Sequence, residues 1–308
     1  MARKLRVEYE GAIYHVMNRG ARGDPIFRDD QDRVLFLETL AQVCRKTDWQ
    51  VLAWCLMSNH FHLVLETPKP NLVAGMKWFL GAYSSRFNRR HKLYGHLFSG
   101  RYKALIVDGS GNRYLRTVCD YVHLNPVRAR LLSQEQKLRA YRWSSYGEYL
   151  KRKEKRVGWL HVSRLFGEMG IAKDSAAGRR EFEKVMEMRR WEEQPAEWKR
   201  VRRGWCLGDK AFRQELLGQM SERMGPSHYG EEVREAAEEK AQRIVGQELK
   251  RLGWKEGDLG KLRKGDPAKV KLARRLRQET TMTLQWIAHR LKMGTWTHVS
   301  NRLYHLKN

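Results

Sequence analysis

Apolar residues recur along the first 150 positions in two alternating periods. Gly11-Ala12-Ile13-Tyr14-His15-Val16-Met17 predicts a strand. From Asp30 to Lys46, the apolar positions Val34, Leu35, Leu37, Leu40, Ala41 and Val43 follow a helical period. Trp49–Met57 and Phe61–Glu66 predict two strands joined by a Ser58-Asn59 turn. Asn71 is placed to cap a helix through about Arg90, with Val73, Met76, Phe79, Leu80, Tyr83 and Phe87 on its inner face. Gly95–Val107 predicts extended chain, and Asn112 opens a helix that Pro126 should interrupt. The order β-α-β-β-α-β-α predicts a split βαβ, ferredoxin-like α+β domain over residues 1–150. Its sheet is expected to be antiparallel, with helices packed on one face.

Beyond about Leu150 the pattern loses its strands. The run Lys151-Arg152-Lys153-Glu154-Lys155-Arg156 opens a charged stretch, 151–203, that predicts a linker with short helices. Residues 204–308 predict an all-α domain. In it Asp209 caps a helix to about Met224, and a long helix runs from Gly230 to Leu252. Asp266-Pro267 supplies an N-cap followed by proline at the first helical position. Thr283–Leu291 and Thr295–Leu306 flank the turn Lys292-Met293-Gly294. Two short helices about a glycine-containing turn predict a helix-turn-helix at about 267–306, whose second helix enters a DNA major groove. Thr295, Thr297, His298, Asn301 and Arg302 are its candidate groove-facing residues. An ordinary three-helix bundle is the alternative.

Charge decides the partner class. The chain of 308 residues carries 61 Lys+Arg against 35 Asp+Glu, a formal net charge of +26. Both halves contribute, with 24 basic and 13 acidic residues in 1–150 and 37 and 22 in the remainder. Excess of that size points to a polyphosphate partner, nucleic acid above all. No stretch approaches the roughly 18 consecutive apolar residues that span a bilayer, and no N-terminal signal pattern is visible, so a membrane partner is not expected. The four cysteines, Cys44, Cys55, Cys119 and Cys206, form no C-x-x-C pair. Neither a disulfide framework nor a structural zinc site is indicated, which fits a reducing cytosol, and the expected setting is cytoplasmic and nucleoid-associated.

His60-Phe61-His62 brings in chemistry. Side chains at i and i+2 of a strand share a face, so both imidazoles point one way and Phe61 the other. Two convergent imidazoles can hold a divalent metal. Tyr121 and Asn125, four residues apart, share a face of the helix opened by Asn112. Asn125 can then add an amide oxygen, giving a site suited to Mg2+ or Mn2+. Tyr121 offers a phenol that can attack phosphorus, leaving a phosphotyrosine. Such use asks for neighbouring cations, for which Arg101, Lys103 and Arg116 are placed. Arg86, Arg89, Arg90 and Arg128 join these three as candidate DNA contacts. His15, His91, His96 and His123 are expected to be structural or phosphate-contacting, and Tyr83, Tyr102 and Tyr114 to pack or to stack on bases. His123 should point off the active face.

These motifs occur in a recognisable series. Met57-Ser58-Asn59-His60-Phe61-His62, Gly95-His96-Leu97-Phe98-x-Gly100-Arg101-Tyr102-Lys103, Tyr121-Val122-His123-Leu124-Asn125-Pro126-Val127-Arg128-Ala129 and Tyr141-Arg142-Trp143-Ser144-Ser145-Tyr146 resemble the HUH single-tyrosine transposases. They are most similar to the branch associated with repetitive extragenic palindromes. The resemblance covers residues 5–150 and continues more weakly through Gly204-Trp205-Cys206-Leu207-Gly208 and the terminal helices. It implies His60 and His62 as metal ligands, Asn125 as the third ligand and Tyr121 as nucleophile. It also implies hairpin-forming single-stranded DNA as substrate, cut to leave a 5′-phosphotyrosine and a free 3′-hydroxyl. Two other readings predict DNA binding without that intermediate: a non-catalytic repressor and a hydrolytic metal-dependent nuclease. Monomer and homodimer both remain open.

Overall fold

A computed structural model describes residues 7–192, 195–223, 231–280 and 282–305. The chain divides into two compact units, Glu8–Arg213 and a unit of Met1–Val7 with Gln214–Asn308. Contacts therefore thin after Arg213 rather than near Leu150.

The first unit opens with the predicted order: β1 (Ala12–Arg19), α1 (Asp30–Thr47), β2 (Gln50–Leu56), β3 (His60–Thr67), α2 (Leu72–His91), β4 (Lys103–Val107) and α3 (Tyr114–His123). The fold is α+β. β3 and β1 lie inside the strand order β2-β3-β1-β4-β5, where β5 is Cys206–Leu207. Pairing is antiparallel except at β4–β5, where Ile106 and Val107 run parallel to Cys206 and Leu207. A segment expected beyond the domain thus supplies its edge strand. Extended chain was expected from Gly95, but the strand begins only at Lys103. Gly95 and Gly100 take positive φ, 92° and 74°, a region that breaks a strand.

Helices cover both faces of the sheet, not one. Phe61 projects toward α1 and α2, where its ring lies 5.0 Å from Phe36, itself 4.8 Å from Phe79. The opposite face, bearing His62, is crossed by α3, which contacts β2, β3 and β4. The strands carry the reason. Val51 to Met57 is continuously buried, as is Phe61 to Leu65, whereas a sheet with one wet face alternates. Pro126 cannot donate a backbone hydrogen bond, and the helix breaks as expected at Leu124, resuming as α4 (Asn125–Arg128).

The charged stretch is integral to this unit. α5 (Tyr146–Tyr149), α6 (Ser163–Glu168) and α7 (Ala176–Arg189) bring together Tyr149, Phe166 and Phe182, with Tyr149 and Phe182 stacked at 4.8 Å. The arginines around them are paired: Arg156 and Arg179 with Asp174, and Arg189 with the buried Asp120. The free edge of β2 is covered by residues 143–145 and 159–161 through backbone hydrogen bonds such as Ser145 N to Trp54 O, 2.8 Å. α8 (Pro195–Arg203) completes the unit by packing on α3.

After α9 (Lys210–Arg223) the second unit is helical: α10 (Glu231–Leu252), α11 (Asp258–Lys261), α12 (Pro267–Glu279), α13 (Leu284–Arg290) and α14 (Trp296–His305). Met224, Gly230 and Leu306, three expected helix ends, lie outside the described residues. The Asp209 and Asp266 caps form as expected, the latter accepting from Ala268 and Lys269 N–H. Val245, Leu272, Leu276, Ile287, Leu291 and Val299 are among the residues of its core. No described helix is long and apolar enough to cross a membrane.

Candidate active site around His62 and Tyr121

Strand register builds one side of the site. In β1, Met17 lies opposite His62 and Arg19 opposite His60; in β4, Lys103 lies opposite Met17. Directly paired residues share a face, so His15, Arg19, His60, His62 and Lys103 all belong to the face that α3 crosses. The His60 and His62 rings are 5.1 Å apart, centroid to centroid. Tyr121, on the last turn of α3, places its ring 5.5 Å from His62 and 5.7 Å from His15.

His15 was expected to be structural or phosphate-contacting. It is buried, and its Nε2 lies 2.9 Å from Nδ1 of His62. Burial pushes its pKa down to about 3, helped by the charge of Arg128. His62 is held well below its ordinary value by burial, then by His15, His60, Arg128 and Arg202; His60 is lowered by burial and by Arg19. All three imidazoles are therefore neutral at pH 7, the form that ligates metals.

The donor set fits a divalent ion. His60 Nδ1–H donates to Asn59 Oδ1 at 2.7 Å, and His62 Nδ1 is engaged by His15, leaving Nε2 of each open to a further ligand. Among the described residues no group of three or more His, Cys, Asp or Glu side chains is placed to hold a metal ion. Asn125 begins α4 one turn beyond Tyr121 and is buried, 7% exposed.

Tyr121 is enclosed, at 5% exposure. The Arg128 guanidinium lies 4.0 Å over its ring and also donates to the Tyr121 carbonyl oxygen. Trp198 of α8 packs 5.6 Å from the same ring and 4.9 Å from the Arg128 guanidinium carbon. The cation held against the tyrosine is thus Arg128, in place of Arg101, Lys103 or Arg116. Arg101 and Lys103 are exposed, while Arg116 lies 3.7 Å from Asp120. His15, Arg19, Trp198 and Arg202 were missed as site residues. Strand register hid the first two. Trp198 and Val201, both buried and spaced i, i+3 in a polar helix, were a legible amphipathic signal inside the supposed linker.

At the basic end of α2 two of the three candidate arginines have partners within the protein. Arg86 donates to Thr39 Oγ1 and Gln42 Oε1, both at 2.7 Å, and Arg90 pairs with Asp29 and the buried Asp32. These two arginines tie α2 to α1 on the Phe61 face, away from Tyr121. Arg89 stays exposed on that helix. His91 joins Asp32 at 2.9 Å, and His123 bonds Ser145 Oγ at 2.8 Å among Tyr146, Tyr149 and Phe182, off the active face as expected. Tyr83 donates to Ile26 O within the core.

In the second unit, Thr295 caps α14 through the His298 N–H. Thr297, Asn301 and Arg302 are exposed and His298 half-buried, and Trp296 and Tyr304 add exposed aromatic rings that the sequence reading passed over.

Residues 8–125 match the protein family described as IS200-like transposase. A solved structure of a REP-associated tyrosine transposase bound to a REP hairpin is similar at 15% identity and TM-score 0.41, covering 52% of this chain and 92% of the other. No curated protein matches the chain.

Proposed function

We propose that this chain, whose residues 8–125 match the IS200-like transposase family, cuts and rejoins single-stranded, hairpin-forming DNA of the repetitive extragenic palindrome type, with Tyr121 as nucleophile. The observation that supports it most is the meeting of Tyr121 with His62 and His60 on one face of the sheet, from elements about sixty residues apart. A hydrolytic nuclease needs no phenol there, and a repressor needs neither phenol nor imidazoles.

His60 and His62 would hold a Mg2+ or Mn2+ ion, with Asn125 as the third donor. When bound, that ion supplies Lewis-acid polarisation of the scissile phosphate. The charges acting on the two histidines are all positive, from Arg19, Arg128 and Arg202. The site is therefore matched to an anion, and the substrate phosphodiester provides it. Arg128 orients the Tyr121 ring from above and through its backbone. The Tyr121 oxygen bonds to phosphorus while the bond to the 3′-oxygen breaks. The phenol proton leaves to solvent, and the 3′-oxygen takes up a proton to become a free hydroxyl. The phosphodiester's energy stays in the phosphotyrosine, so a returning 3′-hydroxyl can rejoin the strand. Arg101 and Lys103, exposed beside this face, contact the strand's phosphates. α14 with its Thr297, Asn301, Arg302 and Trp296 forms a further DNA-binding element of the helix-turn-helix kind.

The test is a denaturing gel with a hairpin substrate labelled on its 3′ fragment. Wild type with Mg2+ or Mn2+ should give a protein-linked band that chelator abolishes. Tyr121→Phe should lose the band while keeping DNA affinity, because only a hydroxyl is removed. An undiminished band in Tyr121→Phe would move the nucleophile elsewhere, and cleavage without any band in wild type would favour hydrolysis.

A further inference from the structure

Each imidazole of the His60/His62 pair has its Nδ1 engaged, but by partners of different kind. Asn59 Oδ1 can only accept, so His60 must carry its proton on Nδ1 and present a bare Nε2. The partner of His62 is a third imidazole, His15, with Nε2 at 2.9 Å from His62 Nδ1. An imidazole can donate or accept there, and the two directions have opposite consequences. If His15 donated, the His62 proton would move to its own Nε2 and block that nitrogen as a ligand. If His15 accepts, His62 is fixed in the same tautomer as His60.

We propose that His15 is a positioning residue whose Nε2 accepts a hydrogen bond from His62 Nδ1–H, setting His62 Nε2 as the lone-pair nitrogen for a divalent cation. Three observations carry this. Both rings are about 1% exposed, so water does not compete for the bond. Their planes lie only 18° apart with centroids at 5.1 Å, the near-coplanar, edge-to-edge arrangement of a hydrogen bond lying in the plane of both rings, which holds the His62 ring against rotation. The edge of His15 also meets Tyr121 at 5.7 Å, so one side chain sets the spacing of ligand and nucleophile. The strand register explains why this position serves: His15 is two residues from Met17, the direct partner of His62, and so takes the diagonal place on the same face. Outer partners of this kind orient a ligating histidine, and their loss typically costs 10- to 100-fold in metal affinity.

The inference rests on the metal reading above, and the experiment separates the two. Long-range 1H–15N NMR of the full chain without metal reads the His62 tautomer directly, and Mn2+ titration reads affinity. Wild type should show His62 protonated on Nδ1. His15→Leu should lose that single tautomer and bind Mn2+ about 10- to 100-fold more weakly. His15→Gln, whose Oε1 can accept near the old Nε2 position, should restore affinity to within a few-fold. A wild-type His62 protonated on Nε2, or His15→Leu binding Mn2+ as tightly as wild type, would overturn the proposal. The wild-type tautomer stands as a test even if His15→Leu does not fold. If wild type took up no Mn2+, the metal reading would fall, and the tautomer would still decide what His15 does.

Discussion

Replacing Arg128 by alanine removes the group that holds Tyr121 from two directions. The guanidinium lies 4.0 Å over the ring and donates to the tyrosine's own carbonyl oxygen. A partly desolvated cation–π contact is worth about 1–2 kcal/mol, and a hydrogen bond from a charged donor about 1.5–3 kcal/mol. The two share one side chain and do not add fully, so about 2–3 kcal/mol of positioning is at stake. If that positioning is felt in the attack, the single-turnover rate of adduct formation should fall about 30- to 150-fold. DNA affinity should change far less, since at most one phosphate contact is lost, shifting the log–log salt slope by about 0.7 for a single strand. Arg128→Lys distinguishes stacking from charge. Lysine keeps the charge but not the planar fork, so it should resemble alanine in rate and wild type in salt slope. A wild-type rate in Arg128→Ala would refute the positioning argument, and a wild-type rate in Arg128→Lys would replace stacking by simple charge.

Three further outcomes follow from a buried histidine, from the unit boundary and from the edge strand. Burial pushes the pKa of His123 down to about 3, whereas in the unfolded chain it returns to about 6.5. Below that value the unfolded state binds the extra proton, so the neutral histidine's contribution is complete above about pH 6.5 and is lost progressively as pH falls toward 3. At about 1.4 kcal/mol per pH unit, His123 alone should cost about 2 kcal/mol at pH 5. In urea unfolding of a fragment ending at Arg213, His123→Gln should shrink the difference between pH 7 and pH 5 by about that much, and an unchanged difference would contradict the reading. Truncation after Arg213 should leave a folded unit that still forms the adduct. Truncation after Arg203 should lower its melting temperature by several degrees, because β4 loses the hydrogen bonds from Ile106 N to Trp205 O and Asp108 N to Leu207 O; equal melting of the two fragments would count against β5 as part of the domain.

What could be read from the sequence was local in origin. The His60/His62 face depends on strand pleat alone, the order of elements on hydrophobic period and turn residues, and the break at Leu124 on one proline. What escaped depended on partners far along the chain. His15 meets His62 because β1 and β3 pair in one register among several, and nothing in either strand's own pattern selects it. The continuous burial of β2 was visible as an unbroken apolar run, yet its meaning, helices on both faces, required asking what covers the second side. Phe182 and Trp198 lie in a stretch whose charge resembled a solvated linker, but three of its arginines, Arg156, Arg179 and Arg189, are paired with Asp174 and Asp120 around buried rings.

The same distinction governs the positive charge. A net +26 argues for a polyanionic partner but does not say where it lies, because paired arginines add nothing to an outward field. Of the arginines at the end of α2, Arg90 is neutralised by Asp29 and Asp32, whereas Arg86 is held by the neutral Thr39 and Gln42 and keeps its charge. The cations that act on the histidines are Arg19, Arg128 and Arg202, drawn from β1, α4 and α8. They are scattered in sequence and converge only in the fold. Arg19 acts on His60, and Arg128 and Arg202 act on His62. On the proposed reading, it is this local excess, more than the total, that would draw a DNA backbone to the face of Tyr121.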